Sequence, residues 1–162
     1  MKFIGIIPAR YASTRFPAKP LAILGGKTVI QRVYEQVKLA VDEVWVATDD
    51  QRIMTAVAAF GGKAVMTSDA HQSGTDRIYE AYCTIGQGYD IVINVQGDEP
   101  FIHPSQIESL KSCFASADTV LATLVKPFKA KDGFEAIANP NSPKVVVNKN
   151  NEAICDENGC EI

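Results

Sequence analysis

The chain has 162 residues, 46% of them hydrophobic, and a formal net charge of −3 at pH 7. This length and composition fit a globular domain with a buried core, and the negative charge argues against nucleic acid as the partner. No apolar run reaches the roughly 18 residues that a membrane-spanning helix needs, and the first residues lack a secretory signal, which together indicate the cytoplasm.

Short apolar runs alternate along the chain with segments whose apolar residues recur at helical spacing. In chain order the predicted elements are a strand over 3–7, a helix over 28–40, a strand over 43–47, a helix over 51–60, a strand over 63–66, a helix over 75–85, a strand over 90–95, a helix over 104–114 and a strand over 119–125. This alternation predicts an α/β fold, a three-layer, doubly wound, mostly parallel sheet with helices on both faces. Residues 126–162 are expected to form an irregular connection and a hairpin, with strands over 144–148 and 152–155.

Three loops that follow predicted strands carry polar and charged residues: 8–20, 48–50 and 96–100. Because the carboxyl ends of parallel strands lie at one edge of a sheet, we expect the three loops to meet there. Ligands of doubly wound sheets bind at that edge, near the point where the strand order reverses.

The loop after the first strand carries three cations, Arg10, Arg15 and Lys19. Cations fixed at the carboxyl end of a parallel strand suit a polyanion such as a nucleoside triphosphate. The loop lacks the Gly-x-x-x-x-Gly-Lys-Ser/Thr pattern, so it is not a P-loop. The alternative is a solvated basic loop, since exposed Lys and Arg are common.

A second motif, NVQGDEP over residues 94–100, follows the most apolar of the predicted strands. Asp98 and Glu99 would lie where this strand opens onto the ligand edge, and a carboxylate there can hold Mg²⁺ against triphosphate oxygens. Gly97 permits close backbone approach at this edge. The alternative is an ordinary turn, which Gly-Asp often forms.

A third motif, HQSGTDR over residues 71–77, precedes a predicted helix. Ser73 or Thr75 is expected to cap that helix, and the helix N-terminus together with Arg77 favours an anion or an acceptor-rich base edge. Plain capping, with Arg77 on a solvated face, is the alternative. His71 alone is a weak signal, because a loop histidine is more often structural than catalytic.

Weaker signals come from the cysteines and from residues 48–50. Cys83 and Cys113 lie in apolar helical contexts and are expected to be small core residues. Cys155 and Cys160 have no second pair of ligands nearby and predict no zinc site. Residues 48–50, with the sequence TDD, predict first a helix cap and only second a wall of a base pocket.

Together the segments IIPARYASTRFPAKPL, VATDD, HQSGTDR and NVQGDEP resemble, in order and approximate spacing, the 3-deoxy-manno-octulosonate cytidylyltransferases, or CMP-Kdo synthetases. The resemblance covers roughly residues 1–150. It implies a nucleotide-diphospho-sugar transferase-like fold and a nucleotidyltransferase that joins CTP and Kdo, giving CMP-Kdo and pyrophosphate for lipopolysaccharide biosynthesis. CMP-sialate synthetases share only the IPAR opening, and sugar-1-phosphate nucleotidyltransferases begin with a glycine-rich loop that differs from this one.

Residue by residue, the resemblance implies catalytic roles for Arg10, Lys19 and Asp98, with Asp98 as a ligand of the cofactor Mg²⁺. Gln96 matches a position near the sugar. The nucleotide-binding residues that the resemblance implies are Pro8, Ala9, Arg10, Arg15, Lys19, Ser73, Gly74 and Arg77. The implied partners are CTP, Kdo and, in the full-length protein, a second copy of the chain.

Two departures from the family pattern matter. Ala18 stands where the family usually has Gly, and a positive φ there would cost about 1 kcal/mol. Family members also continue beyond the point, near Ala153, where the match fades. We therefore expect a single nucleotidyltransferase domain over 1–162 that is incomplete at its C-terminus. The alternatives are an inactive CTP-binding fragment of that enzyme and a related CMP-sialate-type synthetase.

Overall fold

The chain forms two compact units, residues 1–120 and residues 121–162. The computed structural model describes residues 1–12, 17–86, 88–129, 133–140, 144–150 and 152–153. Within the described residues no helix is long and apolar enough to cross a membrane.

The first unit contains strands and helices close to those predicted. Its strands are β1 (Phe3–Ala9), β2 (Ile23–Leu24), β3 (Lys27–Thr28), β4 (Glu43–Thr48), β5 (Ala64–Met66) and β6 (Ile91–Asn94). Its helices are α1 (Val29–Lys38), α2 (Gln51–Ala59), α3 (Gly74–Ile85) and α4 (Pro104–Cys113), and a 3-10 turn covers Lys19–Leu21. The antiparallel pair of β2 and β3 was not predicted, because two-residue strands are too short to produce a pattern.

Strands β1, β4, β5 and β6 form one parallel sheet in the order β5-β4-β1-β6. The chain runs outward from β1 through β4 to β5, and α3 then carries it back to β6 on the other side of β1. The strand order therefore reverses between β1 and β6, so the crevice outside their carboxyl ends is the expected ligand position of a doubly wound sheet.

Helices cover both faces of β1, as predicted. On one face Ile4 and Ile6 pack with Ile78 and Ala81 of α3. On the other face a Cβ added at Gly5 would lie 2.6 Å from Cγ1 of Val37, so the missing side chain lets α1 approach the sheet closely. This arrangement confirms the three-layer, mostly parallel α/β fold.

Local capping explains where the helices begin. The side chains of Thr28, Asp50, Ser73 and His103 each accept a hydrogen bond from a backbone amide in the first turn of α1, α2, α3 and α4, respectively. A Thr, Asp or Ser cap of this kind stabilises its helix by about 1 kcal/mol. Asp50 and Ser73 confirm the capping roles that the sequence predicted.

The strand predicted over 119–125 is wrong: all seven residues are described and none is in a strand. Val120 is 93% exposed. An apolar, β-branched run favours extended backbone, but a strand also needs a neighbour that takes up its hydrogen bonds, and local sequence does not supply one.

The second unit contains a helix, α5 (Gly133–Ala138), inside the connection predicted to be irregular. Among the described residues of the predicted hairpin there is one antiparallel bridge, Val147 to Ala153, and the amide of Asn148 donates to the carbonyl of Glu152 at 2.9 Å. The end of the predicted second strand, residues 154–155, lies outside the described residues.

The predicted burial of two cysteines is also wrong. Cys83 and Cys113 are both exposed free thiols. In α3 the inward face is formed by Arg77, Ile78 and Ala81, which places Cys83 on the outer side. Cys155 and Cys160 lie outside the described residues.

Candidate functional site

The carboxyl ends of β1 and β6 lie against each other at one edge of the sheet. A Cβ added at Gly97 would be 2.8 Å from the carbonyl oxygen of Pro8, closer than real side chains approach. Only glycine therefore permits this contact, which confirms the predicted close approach. Thr48, the last residue of β4, pairs in register with Ala9, so the loop 48–50 leaves the sheet at the same edge.

A cavity of about 120 Å³ opens at this edge. Its lining residues are Pro8, Ala9, Arg10, His71, Ser73, Gly74, Arg77 and Gln96. The fold thus gathers around one cavity six of the residues that the sequence predicted for nucleotide binding, together with the residue predicted near the sugar. Their separation along the chain means that only the sheet topology brings them together.

Arg10 follows the last residue of β1, and its side chain is exposed in the cavity wall. It forms no hydrogen bond or ion pair with any described residue. A guanidinium held at a strand end without a protein partner can accept an anionic ligand. Arg15, the next cation predicted for this loop, lies outside the described residues.

Lys19 and Asp98 form an ion pair beside the cavity, although they are 79 positions apart in the sequence. Lys19 Nζ lies 2.6 Å from Asp98 Oδ2, and the two side chains are 41% and 52% exposed. A pair this exposed contributes about 1 kcal/mol or less to stability. Either partner can therefore exchange the other for a ligand at little cost.

The donor set at Asp98 suits a metal that shares its coordination with a ligand. Among the described residues, no group of three or more His, Cys, Asp or Glu side chains could hold a metal ion. Mg²⁺ commonly takes one or two carboxylates and completes its shell with substrate phosphates and water. Asp98, half exposed next to the cations, fits that arrangement.

Arg77 is buried, with only 3% of the residue exposed, so its predicted alternative on a solvated face is wrong. Its guanidinium donates to Asp49 Oδ2 at 2.7 Å, to Thr67 Oγ1 at 2.6 Å and to the Ser68 carbonyl at 3.2 Å. It lies on the inward face of α3 and forms part of the cavity wall, held rigid by these partners.

Asp49 has a role that sequence reasoning did not find. Residues 48–50 were assigned first to capping, and Asp50 does cap α2. The carboxylate of Asp49 instead pairs with Arg77, 28 positions away, and is itself largely buried. Nothing local in the sequence signals a pair between the loop 48–50 and a residue of α3.

His71 also lines the cavity, although its sequence signal was weak. Its Nε2 contacts the carboxylate of Glu80, which also accepts a hydrogen bond from the backbone amide of Ser68 at 2.9 Å. The imidazole of His71 and then the Ser68 amide lower the pKa of Glu80. These contacts orient the imidazole at the cavity wall.

Ala18 places Lys19 at the site through an uncommon backbone conformation. Its φ is +58°, the only positive φ of a non-glycine residue among those the structure describes. The condition stated for this position, a positive φ, is therefore met, and an Ala here costs about 1 kcal/mol. The 3-10 turn that carries Lys19 starts directly after it.

Comparison with known proteins gives a family match over almost the whole chain. The model of a family described as cytidylyltransferase matches residues 4–160. A 3-deoxy-manno-octulosonate cytidylyltransferase of Parabacteroides distasonis is 70% identical over 155 residues, which cover 95% of this chain and 62% of the relative. One from Porphyromonas gingivalis is 51% identical over 93% of this chain and 59% of the relative. The chain thus spans about three fifths of the length of these relatives.

Solved structures agree with the fold. A CMP:2-keto-3-deoxy-manno-octonic acid synthetase complexed with CTP is 44% identical, with a TM-score of 0.82 over 95% of this chain and 63% of that one. A cytidylyltransferase of Leptospira borgpetersenii, 25% identical, has a TM-score of 0.61 over 71% of this chain and 49% of that one. These matches confirm the predicted nucleotide-diphospho-sugar transferase-like architecture.

Proposed function

This chain belongs to the cytidylyltransferase family, and from that membership we propose that it binds CTP and activates Kdo, giving CMP-Kdo and pyrophosphate for lipopolysaccharide biosynthesis. One observation carries the proposal: Arg10, which has no partner among the described residues, lies with the exposed Lys19–Asp98 pair and the cavity wall at the edge where the strand order reverses. The relative with CTP bound supports the choice of nucleotide.

In this proposal the cavity takes the base and the cations take the phosphates. Backbone groups of residues 8–10, together with Ser73 and Gly74, present the short polar contacts that a pyrimidine edge needs. Arg77 keeps one wall of the cavity rigid through Asp49 and Thr67. We assign the triphosphate to Arg10, which lines the cavity, and to Lys19, which contacts Asp98; Arg15 belongs to the same loop.

The reaction follows from charge and position. The anomeric hydroxyl oxygen of Kdo attacks the α-phosphorus of CTP and forms the new O–P bond, while the bond to the bridging oxygen breaks and releases pyrophosphate. The hydroxyl proton passes to solvent water. Arg10 and Lys19 neutralise the phosphate oxygens and hold the chain of phosphates in line, so catalysis rests on positioning and electrostatics. Mg²⁺, when bound at Asp98, would supply further neutralisation of the triphosphate.

Fewer residues are assigned to sugar binding than to nucleotide binding. Gln96 faces the cavity and at present donates from Nε2 to Asn94 Oδ1 at 3.1 Å, an exposed contact that a sugar hydroxyl can replace. We assign it to Kdo. The remaining sugar contacts, a homodimer of the full-length protein and a cytoplasmic location are proposed on the family resemblance.

The decisive experiment measures pyrophosphate release by this chain from CTP and Mg²⁺, with and without Kdo, alongside calorimetric CTP binding. Kdo-dependent release supports the enzyme. CTP binding without release favours the second candidate, a CTP-binding portion that needs the rest of the relatives' length. Release with a sialic acid but not with Kdo would overturn the sugar assignment, and absence of CTP binding would overturn the proposal as a whole.

A further inference from the structure

We propose that Tyr11 and Arg52 form a clamp that positions the two described cations of the site, Arg10 and Lys19. The proposal rests on the proposed function, because it takes those cations to bind the triphosphate. The clamp consists of Asp50, Arg52, Tyr11 and Ala18, all described residues outside the cavity. None of the four is among the residues that the sequence predicted for binding.

The outer half of the clamp is a guanidinium fixed to the start of α2. Arg52 Nε donates to Asp50 Oδ1 at 2.9 Å and its terminal nitrogen donates to Oδ2 at 2.6 Å. Asp50 is itself the cap of the helix and accepts from the Arg52 amide at 2.8 Å. Two parallel hydrogen bonds hold the plane of a guanidinium in one orientation, which a lysine ammonium does not offer.

The inner half of the clamp is the ring of Tyr11. Arg52 Cζ lies 3.3 Å from the centroid of that ring, a stacked cation–π contact. The ring is thereby held against a rigid helix start. Since Tyr11 follows Arg10 directly in the chain, fixing its ring also restricts the backbone from which the Arg10 side chain extends.

The backbone of Tyr11 also restricts the position of Lys19. The carbonyl of Tyr11 accepts a hydrogen bond from the amide of Ala18 at 3.0 Å, and Ala18 immediately precedes Lys19. Ala18 has the positive φ, and such a conformation persists only where neighbouring contacts hold it. Tyr11 thus links both ends of the loop, which carry Arg10 and Lys19, to the start of α2.

A competing explanation is that Arg52 acts by charge alone. Its side chain is 59% exposed, so it could attract a triphosphate without holding Tyr11. Tyr11→Ala separates the two explanations because it removes the ring and leaves every charge. Arg52→Lys keeps the charge and removes the planar stack, and Tyr11→Phe keeps the ring.

The binding test compares CTP with CMP by calorimetry at fixed ionic strength. We expect Tyr11→Ala, Arg52→Ala and Arg52→Lys each to weaken CTP binding about tenfold, while CMP affinity changes less than about twofold and Tyr11→Phe matches the wild type. Lys63→Ala is the control, since it removes a cation paired with an aromatic ring, Trp45, at the opposite edge of the sheet. Normal CTP binding by Tyr11→Ala and Arg52→Lys, with a loss only in Arg52→Ala, would overturn the clamp in favour of charge.

A second measurement needs no nucleotide. In the ligand-free protein, amide hydrogen exchange at Ala18 should be about tenfold faster in Tyr11→Ala and Arg52→Ala, whereas the hydrogen-bonded amide of Val46 in β4 should keep its wild-type rate. Unchanged exchange at Ala18 would overturn the clamp whatever the wild type binds. A wild type that does not bind CTP would contradict the proposed function and leave the exchange result to decide the clamp.

Discussion

Charged side chains at the two edges of the central sheet differ in how many partners they have. At the amino edge, where β4 begins, the Glu43 carboxylate accepts hydrogen bonds from Trp45 Nε1 at 2.5 Å, Tyr89 Oη at 2.7 Å and Lys63 Nζ at 2.9 Å. At the carboxyl edge, Arg10 has no partner among the described residues, and Lys19 and Asp98 share one exposed contact. The charge on Glu43 is paired several times within the fold, whereas the charges of Lys19 and Asp98 at the carboxyl edge are partly exposed.

The titration of the amino edge follows from its hydrogen bonds. Lys63 first, and then Tyr89, lower the pKa of Glu43 to about 2. The same contact with Glu43 raises the pKa of Tyr89 to about 12. This edge therefore keeps its charged carboxylate and neutral phenol over a wide pH range.

The largest expected effect is a loss of stability on removing Arg77. This residue is the exception to the contrast between the two edges, because it lies at the carboxyl edge and yet is fully paired. Arg77→Ala would leave the largely buried carboxylate of Asp49 without its cation, and we expect a loss of about 3 kcal/mol in the free energy of unfolding. Urea denaturation measures it. Arg32→Ala serves as control, because its guanidinium donates to the backbone carbonyls of Leu24 and Gly25 and pairs with no carboxylate among the described residues. A loss no larger than that of the control would contradict the buried pair.

The sharpest test of the contrast uses two similar ion pairs. Lys19→Ala should weaken CTP binding tenfold or more, since a charge-assisted hydrogen bond contributes about 1.5–3 kcal/mol. Lys27→Ala removes the matched pair with Glu35, whose Nζ–Oε2 distance is 2.7 Å and whose side chains are 44% and 41% exposed. We expect Lys27→Ala to leave CTP affinity unchanged. The free energy of unfolding should change by about 1 kcal/mol or less in both variants. Equal CTP affinity in the two variants would remove Lys19 from the site.

At the amino edge we expect a substitution to lower stability and to leave CTP affinity unchanged. Glu43→Gln is expected to lower the free energy of unfolding at pH 7 by about 1–2 kcal/mol, discounted for partial exposure of the carboxylate, and to leave CTP affinity unchanged. Because the folded-state pKa of Glu43 is depressed, its contribution is present above its ordinary value of 4.5 and is lost as the pH falls toward about 2. Urea titrations of both proteins at pH 7 and pH 3 measure this. A stability difference that stays constant between these pH values would contradict the assignment.

The smallest expected effect concerns the backbone that carries Lys19. Ala18→Gly should raise the free energy of unfolding by about 0.5–1 kcal/mol, because glycine adopts a positive φ without steric cost. Ala22→Gly is the matched control in the same loop: φ there is −59°, so the same substitution should destabilise. Chemical denaturation of the two variants measures whether each substitution raises or lowers the free energy of unfolding. Destabilisation of both would show that the conformation of Ala18 is not strained.

Much of the fold could be predicted from the sequence because its patterns are local. Apolar runs and helical spacing located β1, β4, β5 and β6 and the helices between them, and Asp50 and Ser73 cap helices as their positions suggested. The three loops that carry Arg10, Asp49 and Gln96 were expected at one edge from the parallel sheet alone. The family pattern marked Ala18 as a position where a positive φ would be costly, and the structure shows that φ there is positive.

Tertiary structure decided the pairings and the burial. Lys19 meets Asp98 across 79 positions and Arg77 meets Asp49 across 28, distances over which no spacing rule acts. Residues 119–125 have the composition of a strand and form none, since a strand exists only with a neighbour to bond. The sequence by itself determined which segments are helical, extended or cationic, because those properties depend on residues a few positions apart. Which described charges are paired and which stay exposed depended on the residues that the folded chain placed beside them.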